Sequence, residues 1–191
     1  MLAADGHQGD PIDPVALRAF SRRYLDAWNS KKPAEVAACA TRDVVWDSPA
    51  LLEPGIGRQA VAGLVAATAT AFPDYEFTSP APWAISDDRL TAYVPWRMTG
   101  TNTGPFEPPG FAPTGRPLDL TGIDVWRFRD GLIWRYEAVY NYSLVARQLG
   151  LALPRNGKLE RMAVRTQRLL HTITTRSYRQ RTHAGEQRRY R

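Results

Sequence analysis

The chain has 191 residues, enough for one domain with a real core and short of the length at which two are expected. Hydrophobic residues at 43% and charged residues at 23% exclude disorder throughout, and six Trp and eight Tyr supply large rings able to line a cavity. The net charge of +6 is uneven: residues 155–191 carry eleven Lys and Arg against two acids, a balance of +9, so residues 1–154 hold −3 and give no electrostatic reason to expect nucleic acid.

Residues 1–12 read as a disordered N-terminus without the apolar core of a signal peptide, and no stretch approaches a membrane span, so a cytoplasmic protein is expected. Asp13 followed by Pro14 is the signature of a capped helix start, and Leu17, Phe20, Tyr24 and Trp28 recur at helical spacing to about Asn29. A short helix follows from Pro33 to about Ala40. It carries the single cysteine, Cys39, in an apolar run that suits a buried, inert thiol. Val44, Val45 and Trp46 read as a strand closed by the turn Asp47-Ser48-Pro49, and Ala60 to Phe72 as a further helix stopped by Pro73-Asp74.

From residue 75 to 142 the apolar period changes to two, interrupted by the Asp87-Asp88 turn and a Gly/Pro-rich loop from Gly100 to Pro117. Helices followed by an antiparallel sheet make the class α+β. Leu90, Ala92, Val94, Trp96 and Met98 form an apolar strand face, with Arg97 on the other side. Ser143 to Leu149 reads as a last helix capped by Gly150, and Pro154 ends the domain.

The most informative segment is Leu118–Phe128. Its alternate positions Leu118, Leu120, Gly122, Asp124, Trp126 and Phe128 place one carboxylate, Asp124, on an otherwise apolar and aromatic face. Desolvation raises such a carboxyl's pKa toward the range useful for acid/base catalysis at neutral pH, unless the group is a structural acid hydrogen-bonded within an ordinary core. The following hairpin has two registers. A three-residue Arg129-Asp130-Gly131 loop, the preferred reading, pairs Trp126 with Trp134 and Asp124 with Tyr136 and leaves a gap at Gly122 and Ala138. A two-residue Asp130-Gly131 turn puts Glu137 opposite Asp124.

Phe72-Pro73-Asp74, Gly100-Thr101-Asn102-Thr103-Gly104-Pro105-Phe106, Pro113-Thr114-Gly115-Arg116-Pro117, Gly122-Ile123-Asp124-Val125-Trp126-Arg127, Asp130-Gly131 and Arg147-Gln148-Leu149-Gly150 stand in an order and spacing that resembles the SnoaL-like polyketide cyclases of the nuclear transport factor 2-like superfamily, over residues 14–154. The resemblance implies a cone-shaped domain over residues 13–154. In it a curved antiparallel sheet and N-terminal helices enclose a pocket, and two copies pair through the outer face of the sheet. It places Asp124 and Asp47 at pocket positions. It also aligns the acid/base aspartate of aldol cyclases with Ala138, and a pocket His with Tyr136; alanine cannot move a proton, so standard aldol ring closure is in doubt unless Asp124 has taken over.

The expected function is cofactor-independent acid/base chemistry on an apolar small molecule: cyclisation, isomerisation, dehydration or epoxide opening. Asp124 is the candidate proton-transfer group, Tyr136 and Asp47 orient it or the substrate, and Tyr24, Trp28, Trp126 and Tyr140 form the walls. Neither a metal nor a cofactor is expected, since no ligand cluster, phosphate loop or dinucleotide fingerprint is present. The alternative is a non-catalytic binding or scaffold module. In residues 155–191, Lys158 to Ile173 reads as a basic amphipathic helix suited to packing on its own domain or its dimer partner, or to docking on an acidic partner, an anionic membrane surface or nucleic acid, with disorder beyond Thr175.

Overall fold

The computed structural model describes residues 9–107 and 110–152, together with 157, 158, 161, 162 and 164–167. The chain divides into two compact units, Met1–Leu149 and Gly150–Arg191. In the first, helices α1 (Pro14–Asn29) and α2 (Pro33–Ala38) precede strand β1 (Ala40–Asp47), the short β2 (Gly55–Ile56) and helix α3 (Gly57–Ala71). Strands β3 (Glu76–Thr78), β4 (Ala84–Ile85), β5 (Ala92–Thr101), β6 (Pro117–Arg129) and β7 (Leu132–Tyr140) follow, and helix α4 (Tyr142–Gln148) closes the unit. In the second, Lys158, Arg161, Met162 and residues 164–167 are helical, and Met162 and Val164 are exposed. The expected disorder beyond Thr175 lies outside the described residues.

Helix α1 forms as its sequence dictates. The Asp13 carboxylate accepts a hydrogen bond from the Ala16 amide and Pro14 occupies the first turn, so the cap satisfies a donor that would otherwise have no helical partner. Its apolar stripe packs on the inner face of β6: Phe20 lies edge-on to Trp126 and Phe128 at 5.5 and 5.0 Å between ring centroids, and Tyr24 lies 4.8 Å from Trp126. Each large side chain buried in this way contributes about 1.5–3 kcal/mol.

Residues 9–12 correct the reading of a disordered N-terminus. Ile12 is buried, its amide donates to the Arg89 carbonyl, and the Asp10 amide donates to the Phe128 carbonyl. One apolar anchor and two backbone bonds are enough to hold the strap.

The sheet is ordered β2-β1-β7-β6-β5-β3, with β4 added beside β5. It is mixed rather than wholly antiparallel, because β1 runs parallel to β7, with Trp46 beside Tyr136 and Asp47 beside Glu137. This pairing joins strands far apart in sequence, which no local pattern announces. Along β5 the residues Ala92, Val94, Trp96 and Met98 are buried, as expected, while Arg97 is exposed and forms a bidentate ion pair with Asp119.

The hairpin between β6 and β7 follows neither expected register throughout. Asp130 and Gly131 both have positive φ, 54° and 67°, and form a two-residue turn that pairs Arg129 with Leu132 and Phe128 with Ile133. A bulge then intervenes, and from Arg127↔Arg135 onward Trp126 pairs with Tyr136, Asp124 with Ala138 and Gly122 with Tyr140. Ile133, Tyr136 and Ala138 are consequently buried together. Trp134 instead meets the guanidinium groups of Arg129 and Arg135, 5.7 and 5.2 Å from its ring.

The Gly/Pro-rich loop is tied down by Asn102, which is 2% exposed. Its amide nitrogen donates to the Ala71 and Gly104 carbonyls, and its oxygen accepts from the Thr114 amide and hydroxyl. Gly104 is required here because a Cβ would come within 1.9 Å of the Thr70 carbonyl oxygen. Several residues that carry the family resemblance therefore hold a loop against the end of α3.

Candidate functional site

Asp124 is 4% exposed at the middle of β6. Its Oδ1 accepts two hydrogen bonds, from Trp96 Nε1 at 2.6 Å and Tyr136 Oη at 2.7 Å. The Trp96 bond follows from the backbone. Trp96 pairs with Gly122, and a Cβ on Gly122 would lie 2.4 Å from the Trp96 ring, so the missing side chain lets the indole lie across β6 and reach the carboxylate two residues on. Trp96 therefore fills the gap that the sequence places at Gly122. It was overlooked as a site residue although its place on the same inner face was legible.

Tyr136 reaches Asp124 diagonally, since the residue directly opposite the carboxylate is Ala138. The Tyr136 ring is fixed by Trp46, which stacks on it with centroids 3.6 Å apart and planes 9° from parallel. Tyr24 Oη and Trp126 Nε1 lie close enough to lower the Asp124 pKa, yet both are buried without a partner in hydrogen-bonding geometry. Burial dominates over all these donors and pushes the Asp124 carboxyl from its ordinary value up to about 7. The same burial, reinforced by the Asp124 charge, holds the Tyr24 and Tyr136 hydroxyls well above the usual tyrosine range, so both remain protonated donors.

Of the residues expected at the site, Asp124, Tyr136, Tyr24 and Trp126 are brought together. Trp28 is buried further along α1, 6.3 Å from the Tyr24 ring and 5.0 Å from Phe77. Tyr140 is half-buried, 5.7 Å from the Trp96 ring, and shares a 3.4 Å hydroxyl contact with Ser48. Asp47 is the exception. Alternation from the buried Val44 and Trp46 turns it outward, where it is exposed, and the neighbouring Ser48 faces inward instead. Beyond Ser48, residues Ala50, Leu51, Ala60, Leu64 and Phe106 line an apolar cleft of about 280 Å³.

Cys39 is buried and its thiol is pushed up by desolvation, in keeping with an inert side chain. Among the described residues no three His, Cys, Asp or Glu side chains gather as metal ligands, and no helix is long and apolar enough to cross a membrane. What the arrangement can do is hold one carboxyl group near its midpoint at neutral pH, in a dry aromatic setting with protonated donors around it.

The SnoaL-like domain family matches residues 21–136, more than half of the chain. No curated protein matches it in sequence. Among solved structures, TsrD from Streptomyces laurentii superposes with a TM-score of 0.63 at 20% identity, over 74% of this chain and 99% of TsrD. A candidate polyketide cyclase from a Silicibacter species gives 0.60 at 23% identity, over 70% of this chain and 94% of its own. AclR from Streptomyces galilaeus, a candidate hydroxylase, gives 0.62 at 22% identity, over 79% and 95%. The α+β fold, with helices leading into a mixed curved sheet, is the one these proteins share, and the chain belongs to the SnoaL-like domain family of the nuclear transport factor 2-like superfamily.

Proposed function

We propose that this protein is a small-molecule enzyme of the polyketide-cyclase type, performing cofactor-independent acid/base chemistry on a mostly apolar substrate with Asp124 as the proton-transferring group. The observation that carries the reading is a buried carboxyl raised to about 7 and surrounded by aromatic donors. Near neutral pH such a group takes a proton from carbon or oxygen and returns it elsewhere on the same molecule, the requirement common to isomerisation, dehydration and ring closure. In this reading Tyr136 orients the carboxyl, and Tyr24, Trp28, Trp126 and Tyr140 form the walls around the substrate.

The alanine at the position of the aldol cyclases' aspartate does not weigh against this. Asp124 stands directly opposite Ala138 in the ladder, so a carboxylate supplied by β6 occupies the space next to the one that β7 leaves open. Exposed Tyr93, Ile123 and Val139 on the outer face of the sheet support pairing of two copies there.

The test is turnover of a panel of enolisable polyketide-like ketones and apolar epoxides by the full-length protein and its Asp124→Asn variant. The variant is expected to lose at least about 100-fold in rate while unfolding cooperatively. Equal activity in both removes Asp124 from the chemistry.

A second reading, a binding or scaffold module whose basic tail recruits an acidic partner, is favoured by the two hydrogen bonds that already satisfy Asp124 Oδ1. Removing residues 155–191 separates the two: a scaffold loses its partner, whereas the enzyme keeps its turnover.

A further inference from the structure

We infer that residues 155–191 dock on an anionic membrane surface, through an apolar stripe between Leu159 and Ile173 and the basic side chains that flank it. These residues take no part in the chemistry proposed at Asp124.

The shared fold is complete without them. The family match ends at residue 136, and 74% of this chain accounts for 99% of TsrD. What residues 155–191 add is charge: eleven Lys and Arg against two acids, in a chain whose first 154 residues hold −3.

That charge is arranged. Lys158, Arg161, Met162 and residues 164–167 are helical, and the Arg161 amide donates to the Gly157 carbonyl at 3.0 Å. All of these side chains are exposed, Met162 to 61%. With about 100° between successive residues, Met162 and Thr166 fall on one stripe with Leu159, Leu169, Leu170 and Ile173 of the sequence. Lys158, Arg161, Arg165 and Arg168 fill the adjoining arc of about 80°. Glu160, the one acid between Lys158 and Arg176, falls on neither.

An apolar stripe bordered by cations selects among anionic partners. Nucleic acid neutralises arginines but offers a leucine face nothing to bury against. A bilayer surface meets both at once: the apolar side chains sink to the acyl boundary while the long basic ones reach back to the phosphates. Arg176, Arg179, Arg181, Arg188, Arg189 and Arg191 continue the charge where the apolar stripe has ended. An extended anionic surface attracts such a run, each cation near it adding to the affinity. No helix among the described residues is long and apolar enough to cross a membrane, so the contact is with the surface.

The experiment is flotation of the full-length protein with vesicles of phosphatidylcholine, or of phosphatidylcholine with about 30% phosphatidylserine, at low and high salt. Binding is expected to the phosphatidylserine vesicles alone, weakened by salt. Arg161→Ser, Arg165→Ser and Arg168→Ser together should cost on the order of 100-fold in affinity. Leu169→Ser with Leu170→Ser, at unchanged charge, should cost at least about tenfold and abolish the gain in helical circular dichroism on vesicles. All five substitutions lie outside the SnoaL-like fold, and a urea melt matching wild type checks that it is intact. Equal binding to both vesicle types, binding to neither, or an affinity unmoved by the leucine pair overturns the inference. So does tighter binding to a mixed-sequence DNA duplex than to the vesicles. Turnover is not read, so failure here leaves the acid/base reading standing, and failure there leaves this one.

Discussion

Titrating Asp124 should leave a signature in stability as well as in rate. Its carboxyl is raised from 3.8 to about 7, chiefly by desolvation. For an acid shifted upward the folded state binds the proton more tightly than the unfolded chain, so stability falls as pH rises between the two values and levels off above the higher one. From pH 4.5 to 8 the folded group crosses about 2.5 pH units before reaching its own midpoint, which at 1.36 kcal/mol per unit is a loss of about 3 kcal/mol. That is a large part of the roughly 5–15 kcal/mol holding a typical domain, and corresponds to a fall in Tm of roughly 10 °C.

Asp124→Asn removes the titration while preserving shape. The difference in unfolding free energy between wild type and variant, from urea melts at several pH values, should therefore change by about 3 kcal/mol across this window, moving in favour of the variant as pH rises. Asp43, Asp74, Asp88 and Asp119 do not interfere. Their pKa values are lowered, so the stability they confer is lost only as pH falls below the window, and it cancels between the two proteins. A difference that is flat with pH, or one that moves in favour of the wild type at high pH, refutes a desolvated Asp124.

Three further perturbations test the way the site is built. Gly122→Ala forces a Cβ into the Trp96 ring, and is expected to cost about 1–3 kcal/mol in a urea melt and to raise the Asp124 pKa as the indole N–H is displaced. Tyr136→Phe removes a hydrogen bond that favours the charged form, so the carboxyl-carbon NMR titration of Asp124 should move to higher pH, and the acid limb of any pH–rate profile with it. Asp47→Asn should leave that titration and any turnover unchanged because the side chain faces outward, whereas Ser48→Ala should alter the environment of the Tyr140 hydroxyl, visible in its NMR resonance.

Where side-chain period and a nearby cap agree, the sequence was a sufficient guide. Asp13-Pro14 and the stripe Leu17, Phe20, Tyr24 and Trp28 set the start of α1 and its end near Asn29, and alternation along 118–128 placed Asp124 on the inner face. What it could not show depends on partners distant in the chain or on a one-residue irregularity. The parallel pairing of β1 with β7 has no local mark, and the Trp96 bond to Asp124 needs the register between β5 and β6 before the role of Gly122 becomes visible. Asp47 was misplaced by a single position: the strand's alternation ends with Trp46 inward, and a polar residue just after it can be read either way until the turn is known.

The bulge in the hairpin has the largest chemical consequence. The Asp130-Gly131 turn, continued without interruption, would set Glu137 opposite Asp124 and put two carboxyl groups on one apolar face, where the charge of one would drive the pKa of the other still higher. One extra residue in β7 reverses this: Glu137 pairs with Val125 and faces outward, and Tyr136 turns in to donate to Asp124. The turn alone favours a shared-proton pair, and the bulge converts the site into one carboxyl with donors. That difference separates a site able to hold its single carboxyl near half-ionised at neutral pH from one in which the pair would hold it protonated.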